Sequence, residues 1–325
     1  MDLRPHPRNV TPRLLSVLFA ALAAGCASPP EQPTRPTPPT DRTSIVLVLA
    51  RDLSPDDVSV YGAGLAWTPR IDRIADEGVL FENAFAGEDE LHSLRGGESM
   101  AVAGGRRVGC YLGEPVESAL DFVTEDPAPF LLLWGSGETV SAQDGKGRTL
   151  DEAVGRLLDG LEQAGRADDT AVIFTATPHT SLQGPRDARI PLLVRWPARI
   201  EAGRRVDALV RGADLLPTLH AIADSPPPED LQGMSLFGFL VGEAPAEWRD
   251  SFRCDVRLQG QECDPGQLVR TRRYALLRNE RTGSEALFDL ALDPLGTRDR
   301  IDDPAYDDVR ARLEERIATG RGEFP

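Results

Sequence analysis

Lysine is all but missing from this chain: of 36 basic residues, only Lys146 is a lysine. Set against 52 acidic residues, this leaves a formal charge of −16. So acidic a surface excludes, as a whole-chain average, the cationic grooves that nucleic acid and other polyanions require. Histidine and cysteine are scarce, at four each, and no Cys-x-x-Cys or Cys/His spacing suggests zinc. The apolar run near the start, LLSVLFAALAAG, is too short to cross a bilayer as a stable helix. What is present is an ordinary globular balance, 41% hydrophobic and 27% charged, in a chain long enough to bury a sizeable core.

That apolar run follows Arg4, Arg8 and Arg13 and ends in Leu22-Ala23-Ala24-Gly25-Cys26. Residues 1–26 therefore read as a bacterial lipoprotein signal, cleaved before Cys26 so that its thiol carries lipid. Plain secretion is the alternative. Residues 27–43 contain SPPEQPTRPTPPTDR, too rich in proline to pack, and are expected to be an extended tether. The expected location is the cell envelope, with a membrane held through the N-terminal lipid. Ala27 in place of aspartate after Cys26 leans towards the outer membrane, or a periplasm-facing position.

From residue 44 to about 240 strand-like and helix-like segments alternate. Strands are expected at 45–49, 79–81, 129–135, 171–175 and 191–196, and helices around 69–77, 115–123 and 215–223. Thr68 is a candidate N-cap with Pro69 at the first helical position. Thr149-Leu150-Asp151-Glu152 reads as a capping box opening a further helix that ends before Gly165. Apolar strands of this kind predict an α/β fold, a mostly parallel sheet flanked by helices. Residues 241–325 are expected to form a small C-terminal antiparallel α+β unit, with a hairpin turning at Glu280-Arg281-Thr282-Gly283 and a last helix over 304–318. Cys254 and Cys263, nine residues apart in a polar stretch, are expected to pair as a disulfide; Cys110 is expected to be a small buried hydrophobe.

Several segments, in order, resemble the sulfatase family of the alkaline phosphatase superfamily. IVLVLARDLSPDDVSVYG (45–62) is similar to an apolar strand followed by Ala-Asp-Asp-Leu-Gly and Tyr-Gly. TPRIDRIADEGVLFENAF (68–85), GRLLDGLEQAGRADDTAVIFT (155–175), RIPLLVRWPARIEAGRRVDALVRGADLLPTL (189–219) and RYALLRN…ALFDLALDPLGTRDR continue the resemblance. It implies a sulfuric ester hydrolase fold, a formylglycine nucleophile made from Cys or Ser in Cys/Ser-x-Pro-x-Arg, and a calcium ion. By spacing from Asn83-Ala84-Phe85, that nucleophile motif falls on Leu91-His92-Ser93-Leu94-Arg95. Leu91 has no lone pair, and only Arg95 agrees. The implied calcium ligands fall on Arg51-Asp52 and Thr177-Pro178, where Asp52 alone is a carboxylate. The lysines that hold sulfate in the family have no counterpart, Lys146 lying elsewhere.

The resemblance therefore implies the fold with its catalytic set degenerate, and no calcium cofactor is expected. The expected role is a binding or accessory protein, with intact sulfatases or other envelope proteins as partners; the alternative is a divergent sulfuric or phosphoric ester hydrolase. A Ser-His arrangement of Ser93, His92 or His179 with Asp52 is weighed against ordinary polar loop residues, and no Gly-x-Ser-x-Gly elbow supports it. Glu88-Asp89-Glu90 and Asp56-Asp57 read as solvated loops, His220 as a core or boundary histidine, and Trp134 and Trp196 as packing residues.

Overall fold

The computed structural model describes residues 43–62, 66–87, 90, 91, 94, 105–139, 146–179, 181–259 and 263–318. The signal segment, Cys26 and all of the tether but Thr43 lie outside the described residues, as do Glu88, Asp89, His92, Ser93 and Arg95.

The central sheet has seven strands in the order β3-β4-β1-β5-β6-β2-β7. These are β1 (Ser44–Arg51), β2 (Val79–Phe85), β3 (Arg107–Leu112), β4 (Phe130–Thr139), β5 (Thr170–Ala176), β6 (Leu192–Arg195) and β7 (Arg204–Arg211). All neighbours are parallel except β6, which runs against both β5 and β2.

β1 shows why the sheet is central. Ile45, Leu47 and Leu49 pack on one face with helices α4 (Leu215–Ile222) and α5 (Phe237–Val241). Val46, Val48 and Ala50 pack on the other with α1 (Pro69–Asp76), α2 (Val116–Glu125) and α3 (Lys146–Gln163). A strand covered on both faces needs an unbroken apolar run, and each such side chain contributes about 1.5–3 kcal/mol of burial. A charge at Val48 would break this layer.

The capping of α1 differs from expectation. Thr68 makes no side-chain cap; its hydroxyl donates to Asp72 Oδ1 at 3.1 Å instead. The free N–H groups of Arg70 and Ile71 donate to Asp151 Oδ1 at 2.9 and 2.8 Å. Asp151 is buried within α3, which starts at Lys146 rather than at the expected capping box. Burial holds its carboxyl above the usual aspartate range.

The second sheet, order β11-β10-β9-β8, is antiparallel throughout: β8 (Ser251–Leu258), β9 (Asp264–Thr271), β10 (Tyr274–Asn279) and β11 (Glu285–Asp289). Its β10–β11 turn sits where expected, with Gly283 at φ 71°, a conformation that favours glycine. One face packs against α6 (Asp307–Ala318) through Leu313 and Ile317. The other, with Phe252, Cys254 and Leu268, packs against Phe85 and Leu209 at the ends of β2 and β7.

This hairpin overturns the disulfide. Cys254 stands opposite Leu268, whereas Cys263 precedes Asp264, whose partner is Leu258. The two are thus at least four rungs apart, roughly 13 Å at ~3.3 Å per residue, against the ~4.4–6.8 Å that a disulfide spans. Both thiols are free, and burial pushes that of Cys254 well above its ordinary range. Cys110 is also free but exposed, not buried, because β3 is the edge strand of the central sheet.

Candidate functional site

β1 and β5 are neighbours, and their carboxyl ends bring the first and second implied ligand positions together. The chain leaves β1 through Asp52 at φ 52°, a left-handed conformation that aspartate tolerates. The Asp52 N–H donates to Thr177 Oγ1 at 3.1 Å, and the Thr177 N–H donates to the Ala50 carbonyl at 3.0 Å. The two strand ends are therefore stitched directly to each other. Arg51 is exposed, Asp52, Thr177 and Pro178 are half-buried, and His179 is exposed. As donors to a hard cation, these offer one carboxylate, a hydroxyl already accepting a hydrogen bond, and a guanidinium of the wrong sign. Among the described residues no three His, Cys, Asp or Glu side chains are grouped so as to hold a metal ion.

The nearby carboxylates are occupied. Asp57 Oδ2 accepts from Ser54 N and Oγ, at 3.0 and 3.1 Å, in a capping box. Asp56 pairs with Arg186. Glu90 pairs with Arg211, whose Nε lies at 3.0 Å, and also accepts from Ala213 N at 3.4 Å. The loop aspartates and Glu90 read as merely solvated in sequence are structural anchors.

Leu91 is 2% exposed. It belongs to the same apolar cluster as Leu94, Val210, Leu215 and Leu216. Gly212 is glycine for this reason: a Cβ there would meet Leu91 Cδ2 at 3.0 Å and Ala86 Cβ at 3.1 Å. The position on which the resemblance places the nucleophile is thus filled by hydrocarbon continuous with the core. Trp134 is buried in the middle of β4 and Trp196 just past the end of β6, and His220 is buried on α4 with burial lowering its pKa.

Two further residues of the signature segments prove to be structural. The β2–β6 ladder pairs only Val79 with Val194 and Leu80 with Leu193. Tyr61 supplies the next rung: its hydroxyl accepts from Leu192 N at 2.9 Å and lies 3.1 Å from the Phe81 carbonyl. Burial pushes its phenol well above the ordinary value. Asp214 is wholly buried, held by both terminal nitrogens of Arg249 and by the N–H groups of Arg211 and Met234, each of these two at 2.8 Å. Sequence reading missed Arg249, which lies 35 positions away and carries no local signal.

Two family profiles match the chain: Sulfatase over residues 116–225, and N-sulphoglucosamine sulphohydrolase, C-terminal, over 185–323. The chain is 36% identical over 112 residues to the N-acetylglucosamine-6-O-sulfatase of Bacteroides thetaiotaomicron, covering 31% of this chain and 20% of that protein. It therefore spans about a fifth of that relative's length. Among solved structures it is similar to a 2-O GAG sulfatase, with TM-score 0.76 and 15% identity over 86% of this chain and 92% of the other. It is similar also to the phosphonate monoester hydrolase of Agrobacterium radiobacter, with TM-score 0.72 and 17% identity over 86% and 95%. At these identities the structural likeness establishes the fold.

Proposed function

From the premise that this chain belongs to the sulfatase family of the alkaline phosphatase superfamily, we propose that it is a binding or accessory protein without sulfatase activity. The observation that carries this reading is Leu91: the position on which the resemblance places the family nucleophile holds a buried alkyl group that fills the space beside Gly212. An alkyl side chain offers no lone pair for attack, and removing it would open the core rather than a substrate site.

The family's calcium finds little to bind. It takes six to eight oxygen ligands, several of them carboxylates, and Asp52 is the one carboxylate at the joined ends of β1 and β5. Arg51 beside it adds repulsion. So read, the protein works without a metal. In this reading Cys26 carries lipid, residues 27–43 tether the domain, and the protein works at the cell envelope beside intact sulfatases or other envelope proteins. No helix of the described residues is long and apolar enough to cross a membrane.

A divergent hydrolase is the second reading, favoured by the likeness to a phosphonate monoester hydrolase. Its chemistry would fall to Asp52 with Ser93 or His179. The full chain assayed on aryl sulfates, phosphates and phosphonates separates the two. The accessory role predicts no turnover above the uncatalysed rate. Turnover that is lost in Ser93→Ala or Asp52→Asn would establish the hydrolase instead.

A further inference from the structure

Where the end of β2 meets the C-terminal sheet, two arginines stand without an ion-pair partner among the described residues, Arg189 feeling Asp56 and Glu82 only at a distance. Phe85, the last residue of β2, bridges to Arg189 and packs its ring against Phe252 of β8, with centroids 5.3 Å apart. Arg270 of β9 is the cross-strand partner of Phe252 and lays its guanidinium over the Phe85 ring, 5.2 Å from the centroid. Phe85 thus brings Arg189 and Arg270 to one place from distant parts of the chain.

Arg270 is only 7% exposed, and its buried Nε and Nη1 have no hydrogen-bond partner among the described residues. The same is true of the Nε of Arg189, whose Nη2 donates to the Glu82 carbonyl at 2.9 Å. The nearby carboxylates serve other arginines: Glu82 pairs with Arg205, Asp56 with Arg186, Glu90 with Arg211 and Asp207 with Arg272. Burial and the charge of Arg189 lower the Arg270 pKa to about 10, the response of a cation that lacks an anion. Burial likewise lowers that of Arg189. In a chain with a formal charge of −16, a buried arginine beside a half-buried one, neither in an ion pair among the described residues, is not explained by a shortage of acids.

We propose that Arg189 and Arg270 form a binding site for a small oxyanion, a sulfate, phosphate or carboxylate group, free or borne on a larger molecule. The planar guanidinium offers such a group paired N–H donors, and Nε with a terminal nitrogen of Arg270 forms one such fork. The buried Phe85 and Phe252 rings pack beside the Arg270 guanidinium, and so apolar a surrounding strengthens each charge-assisted bond. Arg189 is half-buried, so the group enters from that side. This site uses none of the residues at the ends of β1 and β5, and it holds whether or not the chain cleaves esters.

The test is a titration of the full chain with sodium sulfate, sodium phosphate or sodium acetate against sodium chloride at matched ionic strength, read by calorimetry and by Tm. At a hundred times the dissociation constant, the favoured anion should raise Tm by about 5–8 °C and saturate. The ranking of the three salts identifies the anion class. In Arg270→Met the saturable response disappears while the anion-free protein keeps or gains stability, since an uncompensated charge has gone. Arg189→Gln weakens binding at least tenfold and keeps the test open should Arg270→Met fail to fold. Equal, non-saturating rises in all three proteins would be general salting and would overturn the site. So would a destabilised Arg270→Met that still responds to the anion, which would leave Arg270 a packing residue on Phe85.

Discussion

Leu91→Ala tests how tightly the position that the resemblance assigns to the nucleophile is packed. The substitution removes the γ and both δ carbons of a side chain that is 2% exposed, belongs to the same apolar cluster as Ala86, and would lie 3.0 Å from a Cβ placed at Gly212. The lost transfer energy is about 2–2.5 kcal/mol, and the unfilled space adds roughly 1 kcal/mol or more, so about 3–4 kcal/mol in all. In a domain of this size that lowers Tm by about 6–12 °C. Urea unfolding of the full chain measures it directly: the midpoint should fall with the slope m unchanged, because the surface exposed on unfolding hardly changes. Leu91→Met, which conserves volume, should cost less than about 1.5 kcal/mol. A Leu91→Ala cost below about 1 kcal/mol would refute the packing argument, since it would mean that the side chain faces an open pocket.

Three further outcomes follow from the same structure. Leu91→Cys, produced in a host that makes formylglycine, should show no aryl sulfatase turnover, because Arg51, Thr177 and Pro178 remain at the ligand positions; turnover would mean that the rest of the centre is intact. Arg249→Met should cost about 3–5 kcal/mol by leaving Asp214 buried and unpaired, and adding Asp214→Asn should recover part of that loss; costs that simply add in urea unfolding would contradict a coupled pair. Asp264, bridged by Arg281, has its pKa lowered to about 2, and Asp289, bridged by Arg273, is lowered as well. The unfolded chain then binds protons more readily than the folded one, so their contribution is present above the ordinary aspartate value of about 3.9 and is lost as pH falls towards 2. Asp264→Asn should flatten the acid limb of a plot of stability against pH, and an unaltered limb would remove Asp264 from the account.

Much of the fold is visible in the sequence because β1, β4 and β5 are unbroken apolar runs buried on both faces, a signal that needs no tertiary context. β7 and β8 are harder to see, since their outward positions carry charges. Yet Phe252, Cys254 and Val256 alternate with Arg253, Asp255 and Arg257, and that period of two marks β8 as a strand. That same strand, hidden in a polar stretch, carries Cys254 away from Cys263 and rules out the expected disulfide. The candidate site divides in the same way. Leu91 and Arg51 stand out against the family pattern by residue type alone. By contrast, the Asp151 cap on α1, the Asp214–Arg249 pair and the meeting of Arg189 with Arg270 join residues far apart in sequence, and only the folded chain brings them together.

The central claim is that this member of the sulfatase family does not bind the calcium its relatives' pattern implies. The most direct measurement is the Tm of the full chain in excess calcium and then in EDTA. A site filled at a hundred times its dissociation constant would add about 2.7 kcal/mol and raise Tm by about 5–8 °C. The account predicts coincident unfolding curves. A calcium-dependent rise of that size, reversed by EDTA, would contradict it and restore the ends of β1 and β5 as a metal centre.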